Sequence, residues 1–209
     1  MEDASAVTLV PSSESVMEIL QKTGAYRRGH FIYPNGKHAS HYFQMPLAFR
    51  LYDTAKILSV GLSRMFRMEK TIASQIPKVS IISPSPAGIM VAFGVREALS
   101  AEQIYWAEIE NGKRQFRQYI SEYEMHPAII VDDINRSGKA IRETIEIVKE
   151  LGVEVIGIGT IAKFHDAPTE FDGIPTKTLL DFDVNFYGTA DEWKVSKSAS
   201  DADVENVRF

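Results

Sequence analysis

Two adjacent carboxylates, Asp132 and Asp133, stand at the end of the apolar run Ala128-Ile129-Ile130-Val131 and just ahead of a short loop, Asn135-Arg136-Ser137-Gly138-Lys139-Ala140. The run is short and rich in β-branched residues, which reads as a buried strand. Beyond the loop Ile141, Ile145 and Val148 recur at helical spacing, with Leu151 behind them and Gly152 as a C-terminal stop. Strand, acidic pair, glycine loop and helix in that order make an anion seat, because free loop N–H groups and a helix N-terminus favour negative charge. Carboxylates beside such a seat would repel a bare phosphate. They fit a ligand that also offers hydroxyl groups or a bridging metal, as a ribose phosphate does.

The elements that must position this site come from a chain of 209 residues, enough for one sizeable core. With 23 basic against 28 acidic residues the net charge is −5, which argues against a broad nucleic-acid or anionic-membrane surface, so any anion site is local. The 44% hydrophobic and 24% charged composition is ordinary for a soluble globular protein, and no segment approaches a membrane span. The absence of cysteine excludes thiol catalysis and cysteine-ligated zinc and fits a reducing cytoplasm. The acidic start MEDASAVTLVPSSES does not read as a secretory signal.

In chain order, residues 1–12 read as loose, and Ser15 with Glu18 suggests a capping box for a short helix through Val16, Ile19 and Leu20 that ends near Gly24. Gly29 to Gln44 reads as a hairpin turning at Pro34-Asn35-Gly36. Its histidines, His30, His38 and His41, match no zinc spacing, so no metal site is expected there. Ile57, Leu58, Leu62, Met65 and Phe66 predict a helix over 53–68. A second strand over 79–82 leads into Ser83-Pro84-Ser85-Pro86-Ala87-Gly88 and a helix to Leu99, a second strand-loop-helix unit. Strands follow at 104–107 and 153–162, and the tail after residue 187 carries no readable pattern.

The central motif resembles the ribose-phosphate-binding motif of the type I phosphoribosyltransferases. Asp132 and Asp133 match its acidic pair, and Ser137, Gly138, Lys139 and Ala140 match its loop. The segment 29–44 narrows the resemblance to orotate phosphoribosyltransferases, with Gly29, His30, Phe31, Gly36, His38, Tyr42 and Gln44 matching and Pro34 and Asn35 departing. The resemblance covers about residues 16–187. It implies an α/β, type I phosphoribosyltransferase-like fold: a mainly parallel sheet flanked by helices, with a small hood from both chain ends. The whole of 1–209 would be one domain, with a hood at about 13–50 plus 165–190 and a core at about 51–164.

The implied reaction moves a phosphoribosyl group from phosphoribosyl pyrophosphate to orotate, giving orotidine monophosphate and pyrophosphate, as in de novo pyrimidine synthesis. Asp132 and Asp133 would hold the ribose hydroxyls, Arg136 to Ala140 would seat the 5′-phosphate, and Ser85, Pro86, Ala87 and Gly88 would form the pyrophosphate loop. Ala87 stands in place of an expected glycine. The stretch 108–117 resembles a mobile catalytic loop through Glu108, Gly112, Lys113 and Arg117, with Lys113 the candidate for pyrophosphate neutralisation and Arg114 and Arg117 behind it. Ile109 replaces an arginine that grips pyrophosphate in relatives. Tyr42, Phe43 and Lys163 would meet the base, and Phe164 replaces an arginine that helps hold orotate. A purine enzyme is disfavoured because its loop carries an Asp where Arg136 stands. Mg²⁺ would be held mainly through the ligand, with no protein metal site. A cytoplasmic homodimer is expected, acting on small molecules without nucleic-acid or membrane partners. The alternatives are a transferase for another base and a non-catalytic phosphoribosyl pyrophosphate or nucleotide-binding regulator.

Overall fold

The computed structural model describes residues 10–33, 35–117, 124–183, 185–195 and 204–206. Most of the stretch expected to be loose at the N-terminus, residues 1–9, and Pro34 of the hairpin turn lie outside the described residues. Helix α1 (Ser13–Thr23) is capped by Ser12, whose hydroxyl accepts from the Ser15 N–H at 3.2 Å, and ends at Gly24 in the left-handed conformation. The expected box at Ser15 and Glu18 is therefore one turn late, because the earlier serine already satisfies the free N–H. Strands β1 (Tyr26–Ile32) and β2 (His38–Phe43) pair antiparallel as the expected hairpin. Three helices follow, α2 (Pro46–Phe49), α3 (Tyr52–Met68) and α4 (Lys70–Ala73). Leu58, Leu62 and Phe66 form the buried stripe of α3, whereas Ile57, also counted by spacing, is exposed.

The remaining elements are β3 (Ser80–Ser83), α5 (Ile89–Leu99), β4 (Gln103–Glu110), β5 (Lys113–Phe116), β6 (Ala128–Asn135), α6 (Lys139–Glu150), β7 (Val155–Phe164), β8 (Thr176–Phe182), β9 (Phe186–Tyr187), α7 (Ala190–Val195) and β10 (Val204–Asn206). They build a six-stranded sheet in the order β5-β4-β3-β6-β7-β8, parallel except for β5. A four-stranded sheet, β10-β1-β2-β9, stands beside it and draws on both ends of the chain. The polar tail thus has a place: β10 pairs parallel with β1, and Trp193 of α7 is buried, stacking on His30 at 3.7 Å. No described helix is long and apolar enough to cross a membrane.

The strands of the main sheet run longer than their apolar patterns. β6 continues through Asp132 and Asp133 to Asn135 because its backbone stays in register with β7, Asp132 opposite Thr160 and Asn135 opposite Lys163. Ladder bonds join main chains and are indifferent to side-chain polarity, so periodicity alone stops too early.

Helix α3 packs closely on β7 because Gly157 and Gly159 leave room for its side chains. A Cβ on Gly159 would lie 2.5 Å from Phe66 Cζ and 3.1 Å from Leu62 Cδ1, in a fully buried layer. Gly159→Ala is therefore expected to destabilise the fold by about 1–3 kcal/mol through overpacking. For a chain of this size that is a drop of several degrees in melting temperature, roughly 2–4 °C per kcal/mol. A melting temperature equal to that of the parent would show that the layer can relax at no cost.

Candidate active site

The carboxyl ends of β3, β4 and β6 and the N-terminus of α6 surround one cavity of about 360 Å³. Parallel strands bring their following loops to one edge, so the loop after β3 and the loop after β6 meet there as expected. Ser85 Oγ donates to Asp132 Oδ1 at 2.8 Å, and the Ser83 hydroxyl fixes the same loop by donating to the Ser85 carbonyl at 2.6 Å. Ala87 does not carry a positive φ, so the loop needs no glycine there. Gly88 is the glycine the loop does need. A Cβ on it would lie 2.5 Å from Asp132 Oδ1, 2.6 Å from Ser83 Oγ and 3.1 Å from Asp132 Cα, so the start of α5 rests directly on the acidic pair.

On the other side, Gly138 holds φ 73 immediately before α6, with its N–H bonded to Asn135 Oδ1 at 2.8 Å. Asn135 in turn donates from Nδ2 to the Pro168 carbonyl at 3.0 Å. Asn135 was not singled out from the sequence, although a loop Asn followed by Gly three residues on is a signal for such a turn. Ser137, Gly138, Lys139 and Ala140 all line the cavity, at the N-terminus of α6, where a helix favours negative charge. Lys139 turns to Glu143 at 3.7 Å.

Asp132 is buried and Asp133 half-buried at the cavity wall. Burial raises the Asp132 carboxyl well above its ordinary range, and the neighbouring Asp133 charge adds to the rise against the hydrogen bond from Ser85. Asp133 is also raised by burial, opposed by the Ile134 N–H, by Asp132 and by the Arg136 charge. A raised carboxyl pKa means that the folded state binds protons the unfolded state has released. Stability of the free protein therefore falls as pH climbs from about 4 through the folded values of the pair. Asp132→Asn keeps an Oδ1 that accepts from Ser85 and from the Asp133 N–H at 3.0 Å, while removing the charge. The variant is expected to melt higher than the parent at neutral pH and equally at a pH below the ordinary carboxylate range. A pH-independent difference between the two would mean that charge is not its cause.

The catalytic-loop stretch is a hairpin. β4 and β5 pair through a tight turn at Asn111 and Gly112, both at positive φ. Alternation then decides which side chains reach the cavity. Ile109 and its cross-strand partner Arg114 line it; Glu108, Glu110, Lys113 and Gln115 belong to the other face. Lys113 is exposed, and Glu108 engages Trp106 Nε1 at 3.2 Å and Arg117 at 3.6 Å. The structure thus does not bring Lys113 or Glu108 to the cavity, for a reason of parity. Arg114 occupies that place with a side chain only 7% exposed, bonded to the Pro84 carbonyl and paired with Glu143 at 3.0 Å.

The base-contact candidates are also redistributed. Tyr42 packs with Phe31 and Tyr33, and Phe43 packs with Tyr26, Phe164 and Phe182, so both are buried structural aromatics outside the cavity lining. Lys163 is buried and closed onto Asp181 at 2.6 Å. Pro86 and Gly88 shape the loop without lining the cavity, whereas Ser85 and Ala87 line it. His30 Nε2 and His38 Nδ1 lie 2.6 Å apart, while His41 bonds Ser40 and stacks on Tyr26, so the three histidines do not converge.

No protein-family model matches the chain. Curated relatives do. The chain is 30% identical over 176 residues to the orotate phosphoribosyltransferase of Thermotoga petrophila, covering 84% of this chain and 89% of that protein. It is 30% identical over 174 residues to the orotate phosphoribosyltransferase of Desulforamulus reducens, covering 83% and 86%. Among solved structures, orotate phosphoribosyltransferase from Aeropyrum pernix superposes with a TM-score of 0.64 at 18% identity, over 79% of this chain and 93% of that one.

Proposed function

The chain belongs to the orotate phosphoribosyltransferase family within the type I phosphoribosyltransferases, and from that premise we propose that it transfers the phosphoribosyl group of phosphoribosyl pyrophosphate to orotate. The observation that carries this reading is the acidic pair locked by Ser85 against an anion-binding helix N-terminus in one cavity. Asp132 and Asp133 accept from the ribose 2′- and 3′-hydroxyls, and the N–H groups of residues 137–140 take the 5′-phosphate. A nitrogen of the base forms the bond to ribose C1 as the bond from C1 to pyrophosphate oxygen breaks, and pyrophosphate leaves with the electron pair. The protein supplies position and charge for that exchange. Arg114, beside the pyrophosphate loop at Pro84, is the cation facing the leaving group, in the place that the loss of an arginine at Ile109 would otherwise leave apolar.

Mg²⁺ belongs to the same proposal. An ion carried mainly by the ligand would be met by Asp132 and Asp133, carboxylates that line the cavity. When bound, it neutralises charge on the pyrophosphate. We also propose that it acts in the cytoplasm, and that it is a homodimer, the latter because Tyr52, Met90 and Phe93 leave an apolar face uncovered in one copy. A monomeric mass at micromolar concentration would count against the dimer.

The test of function is release of pyrophosphate from phosphoribosyl pyrophosphate and Mg²⁺ with a panel of bases. Orotate should be turned over and adenine and hypoxanthine should not. Turnover of a purine would move the chain to another base, and tight ligand binding with no turnover of any base would make it a regulator.

A further inference from the structure

We propose that Glu143 is a positioning residue for the cation that meets the leaving group: it holds Arg114 of the β4–β5 hairpin against the pyrophosphate loop. The assignment rests on the transferase reading above. It starts from a carboxylate placed where charge alone argues against one. Glu143 lines the cavity near the start of α6, and Asp132 and Asp133 already line the same space. The acidic pair has ribose hydroxyls to serve. A further negative charge beside an anion seat weakens the seat unless cations engage it.

Glu143 is engaged twice. Its Oε2 accepts from Arg114 Nε at 3.0 Å, and its Oε1 lies 3.7 Å from Lys139 Nζ. The Lys139 side chain is 80% exposed, so water screens that pair and it holds little. The Arg114 side chain is only 7% exposed and comes from a distant part of the chain, so its pair ties the hairpin to α6. Arg114 Nη1 also donates to the Pro84 carbonyl, which sets the guanidinium between α6 and the loop after β3. The contacts of Gln115 with Glu110 and of Arg117 with Glu108 stay within residues 108–117.

β5 is an edge strand paired with β4 alone, so side chains decide how the hairpin leans toward α6. Phe116 packs on the cluster of Ile141 and Ile145, but an apolar contact does not orient a guanidinium. Glu143 does, and it leaves Arg114 able to work. The Nε–H goes to Glu143 and one Nη1–H to Pro84, while the second Nη1–H and both on Nη2 remain for phosphate oxygens. A guanidinium fixed before the ligand arrives needs no reordering as charge develops on the leaving group. Without Glu143 the buried cation loses its counter-ion and turns out toward water.

The test is calorimetric binding of pyrophosphate in the presence of Mg²⁺ to the parent, Glu143→Gln, Arg114→Met and the double variant, with ribose 5-phosphate as control ligand. Gln keeps the shape of the side chain and removes its charge. A carboxylate that did no more than line the cavity would, once neutralised, relieve repulsion and tighten pyrophosphate in either background. A positioning residue gives opposite signs. Glu143→Gln should weaken pyrophosphate about tenfold with Arg114 in place, and tighten it in the Arg114→Met background. Ribose 5-phosphate affinity should stay within about threefold in all four proteins, because that ligand does not reach Arg114. Tighter or unchanged pyrophosphate binding on Glu143→Gln alone would overturn the proposal. So would equal losses for the two ligands, or a parent that binds ribose 5-phosphate but no pyrophosphate. Turnover is a separate result: no pyrophosphate release with any base would sink the proposed reaction, while the two binding signs still decide the role of Glu143.

Discussion

Replacing Arg114 by Met is expected to lower pyrophosphate release about 10²–10³-fold, the usual consequence of losing one charge-assisted contact to a leaving group in a closed site. Two effects act in the same direction. The cation proposed to face the pyrophosphate disappears, and Glu143, paired with Arg114 at 3.0 Å, is left as a carboxylate lining the cavity. The second effect can be separated from the first. Glu143→Gln added to Arg114→Met should recover part of the loss, since it removes the stranded charge without restoring the cation. Ribose 5-phosphate affinity should hold within a few-fold in both variants, because that ligand lacks the pyrophosphate. Ile109→Arg offers the converse. Ile109 is 64% exposed and directly across the ladder from Arg114, so an arginine there adds a second cation to the same face and should raise turnover. If Lys113→Met slows the enzyme as much as Arg114→Met, the hairpin does not keep this register during turnover.

Gly88→Ala should weaken phosphoribosyl pyrophosphate binding by about 10² or more, a larger effect than its size suggests. The added methyl meets Asp132 Oδ1 at 2.5 Å, Ser83 Oγ at 2.6 Å and the Asp132 Cα at 3.1 Å. The hydroxyl of Ser83 can rotate, but the Asp132 Cα belongs to β6 and is held in register with Thr160 of β7, so it yields far less. Either the start of α5 lifts or Asp132 swings, and in both cases the Ser85 bond to Asp132 is lost. Hydrogen bonds from a charged group to two ribose hydroxyls contribute about 1.5–3 kcal/mol each, which sets the loss expected when the pair is misplaced. Calorimetry with phosphoribosyl pyrophosphate and a thermal melt should be read together. Weak binding in a variant that still melts cooperatively supports the argument; parent-like affinity would mean that the acidic pair does not need the helix where it stands.

The central motif was legible because its parts are contiguous. Asp132 to Gly138 is a strand end, a turn and a helix start, and local chemistry fixes each: β-branched residues, a glycine that tolerates positive φ and a helical stripe of Ile141, Ile145 and Val148. The Asn-Gly pair at 111–112 was legible too, as the strongest short hairpin signal. Carrying that turn through would have placed Arg114 opposite Ile109 by alternation alone. The resemblance to a mobile loop implies Lys113, which the hairpin register turns to the other face.

What the sequence by itself determined is the central strand, the acidic pair at its end, the glycine loop and the helix after it, since each follows from patterns within a few residues. What only the tertiary structure decided is who faces whom across the sheet. Phe164 and Lys163 are neighbours in sequence, yet one meets Arg136 across the site and the other is taken up by Asp181 of β8. Tyr42 and Phe43 became structural because β2 is covered on both faces, by Phe31 and Tyr33 on one and by Tyr26 and Phe182 on the other. The tail found a place only because a strand edge at β1 was open to pair with it. The physical reason is common to all of these. A side chain's partners come from segments far away in the chain, and no local pattern of polarity encodes which distant segment will arrive.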